Sequence, residues 1–138
     1  MPGTVAHAKG TMNLKGRALY EVGIPRAARE AGRRYIQPDL CHCGGFNEGR
    51  KIAALAENSH VRVVPHNPNG PISTLAGVHL GACTASFEML EYPRQSEGEP
   101  PVFRNQPTAV DGYLEVPTGP GWGVEIDEDV ISRSALEV

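Results

Sequence analysis

Apolar side chains recur along residues 24–93 in two alternating rhythms, and the alternation predicts helices and short strands in turn. Ile24-Pro-Arg-Ala-Ala-Arg-Glu-Ala31 suits a short helix, with Pro25 in its first turn and Gly32 at its C-terminal end. Tyr35-Ile36-Gln37 reads as a brief strand. Asn47 is placed to cap a helix whose apolar positions are Ile52, Ala53, Leu55 and Ala56 and which ends near Asn58 or Ser59. Val61 to Val64 follows as a second strand. A helix opening at Ser73 or Thr74 then carries Leu75, Val78, Leu80 and Ala82, and Ser86 to Leu90 forms a third strand. Helix and strand alternating three times over predicts an α/β fold of right-handed parallel β/α units.

The flanks read differently. Residues 1–15 show no period and are rich in Gly, Ala, Lys and Thr, which predicts a poorly ordered segment. After Pro93, residues 95–108 are rich in Pro and Glu and predict a long surface loop. Tyr113 to Val116 and Val124 to Ile126 alternate as two short strands, joined through Pro117-Thr-Gly-Pro-Gly-Trp-Gly123 in a hairpin-like tail. The organisation expected is therefore 1–15 as a poorly ordered segment, 16–93 as the β/α body, and 94–138 as loop and C-terminal tail.

Composition narrows the class. At 138 residues the chain fits one domain but is short for a closed eight-stranded β/α barrel of about 250 residues. Sixteen Gly and twelve Pro point to many tight loops. A formal charge of −3 gives no electrostatic case for nucleic acid or an anionic membrane surface. No apolar run has the length of a membrane span, and residues 1–15 lack the apolar stretch of a signal peptide. Three Cys cannot all pair within the chain, so reduced thiols in a cytoplasmic protein are expected.

The candidate chemistry lies where apolar runs stop. Asp39, His66 and Glu91 each follow a short strand, and the intervals from 39 to 66 and from 66 to 91 both match one β/α repeat. At the C-terminal end of a parallel strand a side chain faces the crevice where β/α proteins bind ligands. A His held by an Asp is a common general base, so His66 and Asp39 are expected to form a dyad with Glu91 alongside. Taken singly, each has a plainer reading: a loop cap, a His that happens to follow Pro65, a solvated strand end. Three acid–base residues in one register favour a site. Cys41-His42-Cys43 invites a metal reading, but structural zinc sites favour wider Cys spacing and a second pair. These residues are expected to pack or to face the cleft. Gly44-Gly45 offers backbone freedom ahead of a helix N-terminus, or a plain turn.

At these residues the chain resembles the mandelate racemase and muconate lactonizing enzyme branch of the enolase superfamily, most closely its galactonate dehydratase-like acid-sugar dehydratases. The matching stretches are Ile36-Gln-Pro-Asp-Leu-Cys-His-Cys-Gly-Gly45, Glu48-Gly-Arg-Lys-Ile-Ala53, Pro65-His-Asn-Pro-Asn-Gly-Pro71, Phe87-Glu-Met-Leu-Glu91 and Gly119-Pro-Gly-Trp-Gly-Val-Glu-Ile126. The resemblance implies a partial (β/α)8 barrel, about the last three β/α units. It makes His66 the base, Asp39 its hydrogen-bonded partner, and Glu91 the acid that meets the substrate carboxylate. The reaction implied is loss of the proton α to a carboxylate, with Mg²⁺ stabilising the enediolate, followed by expulsion of water from a sugar acid.

The same resemblance implies departures. The three Mg²⁺-binding carboxylates lie on strands that this sequence does not match, and Arg17 stands where one of them is expected, a cation that would repel the metal. The sequence is thus expected to be a C-terminal fragment of a dehydratase from a truncated or damaged reading frame, inactive alone and prone to self-association through uncovered sheet edges. The alternative is a vestigial domain that binds a sugar acid or a partner chain without catalysis.

Overall fold

In this computed structural model, Gly32, residues 34–93 and residues 101–134 are described. The helix expected over 24–31, the segment 1–15 and Arg17 lie outside the described residues. The described residues fall into two compact units, 32–93 and 101–134.

The first unit is built around parallel extended segments joined by helices. Strand β1 (Tyr35–Ile36) pairs in parallel with β2 (Arg62–Val63), in the register Tyr35↔Arg62 and Ile36↔Val63. Beyond these ladders, Asp39 bridges His66 and Val63 bridges Phe87, both in parallel. The hydrogen bonds extend the pattern, from Val64 N–H to Ile36 O at 3.0 Å, from His66 N–H to Pro38 O at 3.0 Å and from Glu88 N–H to Val63 O at 3.0 Å. The chain around β2 is thus central, flanked by 35–39 on one side and 86–91 on the other. Pro38 and Pro65 carry no N–H and cannot donate, which keeps the regular strands to two residues where longer ones were expected. For the same reason the expected third strand is an extended segment held by one bridge.

Between the segments run α1 (Phe46–Asn58) and α2 (Pro71–Ala82). In α1 the buried residues Gly49, Ile52, Ala53 and Ala56 follow the i, i+3, i+4, i+7 spacing and form one face. They pack with Ile36, Leu40, Cys43, Val61, Val63 and Leu80 into the core of the unit. The helix begins two residues earlier than expected, with Gly45 as N-cap and no side-chain cap, so Asn47 sits inside the first turn. Its C-terminal end is closed by His60, a non-glycine residue at φ 53. The His60 N–H donates to Glu57 O at 3.0 Å and the Val61 N–H to Ala56 O at 2.9 Å, the paired bonds of a Schellman ending. Helix α2 starts at Pro71 with Gly70 as its N-cap, ahead of the expected Ser73 or Thr74. It packs closely on the third segment: a side chain at Gly77 would meet Leu90 Cδ1 at 2.5 Å, and one at Gly81 would meet the Phe87 ring at 2.9 Å.

The second unit corrects the expected tail. Tyr113 to Val116 is not a strand. Ile126 bridges Phe103 in antiparallel fashion, with Arg104 N–H on Glu125 O at 3.0 Å and Asp127 N–H on Val102 O at 2.8 Å. Phe103, inside the stretch read as a surface loop, is 5% exposed. Tyr113 instead pairs with Val110 across Asp111 and Gly112, both at positive φ, as a two-residue hairpin turn requires. A short helix, α3 (Glu128–Ser134), follows and was not expected. Asp127 caps it, its Oδ1 accepting the N–H groups of Asp129 and Val130 at 3.1 and 3.2 Å.

Candidate active site

The three expected residues stand at the C-terminal ends of adjacent parallel segments: Asp39 after β1, His66 after β2 and Glu91 after the third. The side-chain pairing differs from expectation. His66 Nδ1 lies 2.5 Å from Glu91 Oε2. An ionised carboxylate can only accept, so Nδ1 carries the proton of this bond, and in the neutral form of the ring Nε2 is then the basic nitrogen. The His66 side chain is 19% exposed and that of Glu91 41%, so the pair sits at a partly open surface.

Asp39 is not the partner of that imidazole. Its Oδ1 receives the Cys41 N–H at 2.8 Å and Asn69 Nδ2 at 3.3 Å. Its Oδ2 lies 2.7 Å from His42 Nδ1 and 3.2 Å from Asn69 Nδ2. Each oxygen has two partners, which uses the accepting capacity of a carboxylate. The expected His66–Asp39 dyad is replaced by His66–Glu91, because the loop after β1 folds back onto its own Asp while Asn69 reaches it from the next loop. Burial pushes the Asp39 carboxyl up, but the bonds from His42, Cys41 and Asn69, with the charge of His42, outweigh it and hold the group below the ordinary carboxylate range.

Cys41-His42-Cys43 do not act together. His42 is committed to Asp39, Cys41 is exposed, and Cys43 is buried with Sγ 3.8 Å from Gly45 O. Burial pushes the Cys43 thiol up, away from the thiolate form that binds metals or attacks substrates.

Sequence reading gave Asn67 and Asn69 no role, named Thr74 only as a possible helix start and His42 only as a residue that packs or faces the cleft. The Asn67 N–H donates to Glu91 Oε2 at 2.9 Å, and Asn67 Nδ2 donates to Glu91 O at 2.9 Å and to Thr74 Oγ1 at 2.8 Å. The available signal was Asn67-Pro-Asn-Gly70 directly after His66, short amides where a strand end meets a helix start.

The chain belongs to the enolase C-terminal domain-like family, whose sequence profile matches residues 18–130. It is an α/β domain of the kind that forms part of a TIM barrel. It is 38% identical over 139 residues to a D-galactonate dehydratase from Ralstonia pickettii, covering 96% of this chain and 36% of that protein. An enolase from Agrobacterium radiobacter, solved with sodium and L-malate and an ordered active site, is similar at TM-score 0.74 and 38% identity, over 86% of this chain and 34% of its own. An enolase from Pantoea ananatis with bound D-gluconate and magnesium is similar at TM-score 0.69 and 29% identity, over 79% of this chain and 27% of its own. The chain spans 21 to 36% of the length of the curated relatives it matches.

Among the described residues, no three His, Cys, Asp or Glu side chains are grouped so as to hold a metal ion. Both oxygens of Asp39 and Oε2 of Glu91 already accept protein N–H groups. No helix among the described residues is long and apolar enough to cross a membrane.

Proposed function

We propose that this chain carries the proton-abstracting part of an acid-sugar dehydratase site, with His66 as the base. The observation that carries the reading is the 2.5 Å bond from His66 Nδ1 to Glu91, at the ends of neighbouring parallel segments. It fixes the tautomer whose Nε2 can accept a carbon-bound proton. Glu91 orients the imidazole and offsets the charge it gains. Asp39 holds the β1–α1 loop in place beside it. The substrate class is an aldonic or aldaric acid, as the galactonate dehydratase relative and the gluconate-bound neighbour suggest. The α proton goes to His66, and the β hydroxyl takes up a proton from solvent and leaves as water; His66 returns its proton to solvent, and the resulting enol tautomerises to a 2-keto-3-deoxy acid.

In this reading residues 35–93 correspond to about the last three β/α units of a (β/α)8 barrel. The 138-residue chain alone gives no turnover, since Mg²⁺ has no donor set among the described residues to stabilise the developing enediolate.

The test is a panel of aldonic and aldaric acids, with and without Mg²⁺. Keto-acid formation is assayed and the His66 imidazole is followed by NMR. The expected result is no keto acid, with the His66 Nε2 signal shifted by a sugar acid and not by an equal concentration of the neutral sugar. Turnover that survives His66→Ala would overturn the base assignment, and turnover abolished by it would overturn only the inactivity. If no acid of the panel perturbs His66, the substrate class is wrong.

A further inference from the structure

We infer that Asn67 is a positioning residue: its donors, braced by Thr74, hold Glu91 where it fixes the tautomer of His66. Asn67 is 1% exposed and has three N–H groups to place. Two go to Glu91, one from the main chain to Oε2 and one from the side chain to the carbonyl oxygen. The remaining one goes to Thr74 Oγ1. The Thr74 hydroxyl donates onward to Gly70 O at 3.0 Å, so it can only accept from Asn67. Both neighbours of Nδ2 are thus acceptors, which fixes the orientation of the amide.

That orientation leaves Asn67 Oδ1 enclosed and without a partner. A buried, unpaired acceptor is costly, and an apolar side chain of the same size would avoid the cost. The Asn is therefore accounted for by its donors, not by a fully satisfied network. Glu91 needs such a brace. Its side chain is 41% exposed, and water competes for a carboxylate there. Its main chain is gripped from both sides, the N–H on Pro65 O at 3.4 Å and the carbonyl on Asn67. Oε2 receives two donors from consecutive residues, the imidazole of His66 and the amide of Asn67. The Asn67–Thr74–Gly70 chain ties this arrangement to the first turn of α2, so the helix start sets where the carboxylate points.

The inference rests on the reading of His66 as a base oriented by Glu91. Its test needs no sugar acid, so the two can fail separately. The ratio of Nδ1–H to Nε2–H tautomers of His66 is read from the imidazole nitrogen shifts at alkaline pH in the full chain. The wild type is expected to favour Nδ1–H, and Glu91→Ala to favour Nε2–H. Asn67→Ala and the near-isosteric Thr74→Val are expected to lower the ratio roughly threefold or more, the factor expected from loss of one ordinary hydrogen bond. Thr74→Ser restores the hydroxyl and the wild-type ratio. Ile52→Val, a core change distant in sequence from the site, leaves the ratio unaltered. If Thr74→Val keeps the wild-type ratio, or Ile52→Val lowers it as much, Asn67 and Thr74 merely brace the loop and the inference falls.

Discussion

Asp39, at the end of its strand, is held by the loops around it. With two partners on each carboxylate oxygen, it joins the loop after β1 to Asn69 of the loop after β2. Its folded-state carboxyl lies below the ordinary carboxylate value of about 3.9, so the folded state binds fewer protons there than the unfolded chain. The stabilisation is complete above that value and is lost as the pH falls through the lower folded one. Asp39→Asn is accordingly expected to cost about 1–3 kcal/mol at pH 7, the range for leaving buried donors unmatched. That deficit should shrink in acid, as the pH falls below the unfolded value and through the lower folded one and the wild-type carboxyl is itself protonated. Urea unfolding of both proteins at pH 7 and down a series of acid pH values gives the comparison, and an equal deficit throughout would remove the carboxylate from the account. At this scale the sequence made the positions legible: Asp39, His66 and Glu91 each end an apolar run, one repeat apart. Their pairing was not legible. Spacing determines which strand end a side chain leaves, while the choice of Glu91 over Asp39 depends on loop bonds from His42, Asn69 and Asn67 that no period encodes.

At the scale of elements, the two helices of the first unit share one device. Each begins after a glycine in nearly the same backbone state, Gly45 at φ 88 and ψ −170 and Gly70 at φ 97 and ψ −165, a region that side-chain-bearing residues rarely enter. Each glycine ends the loop that carries the site residues of its strand. Nothing lies within 4 Å of a Cβ built at either position, so a substitution meets backbone strain and no steric clash. Gly45→Ala and Gly70→Ala should each lower stability by about 1–3 kcal/mol, read as a fall in the urea midpoint with an unchanged slope. A neutral Gly45→Ala would show that the loop reaches the helix by another path. The helices were legible from their apolar faces to within a few residues at each end. Their starts were misplaced because Asn47, Ser73 and Thr74 look like caps in sequence, whereas glycine geometry and Pro71 define the first turns. The strands were legible as extended segments but overstated in length, since Pro38 and Pro65 break the ladder just before the site.

For the whole molecule, the least legible part was 101–134. Its pairings join residues far apart in sequence, Phe103 with Ile126 and Asn105 with Gly123 and Glu125, through single bridges and side-chain bonds in place of a ladder. No alternation marks such contacts. Among the described residues the same region carries many exposed large apolar side chains: Tyr113 is 80% exposed, Val110 66% and Ile126 53%, with Val116, Trp122 and Ile131 also exposed. In the first unit Ile72 is 63% exposed, in the first turn of α2 just after the loop that carries His66. So many large apolar residues facing water favour association. We expect the chain to self-associate with rising concentration in sedimentation velocity. Association by apolar burial should strengthen with sulfate, whereas association by charge would weaken as salt screens it. Replacing Tyr113 and Val110 by Lys should lower the apparent mass at a given concentration without changing the far-ultraviolet spectrum, because neither side chain is buried and their bridge is made by the main chain. A sharp monomer at all concentrations, indifferent to sulfate, would mean that these side chains are tolerated singly in water. The uncovered apolar surface would then not govern the behaviour of the chain in solution.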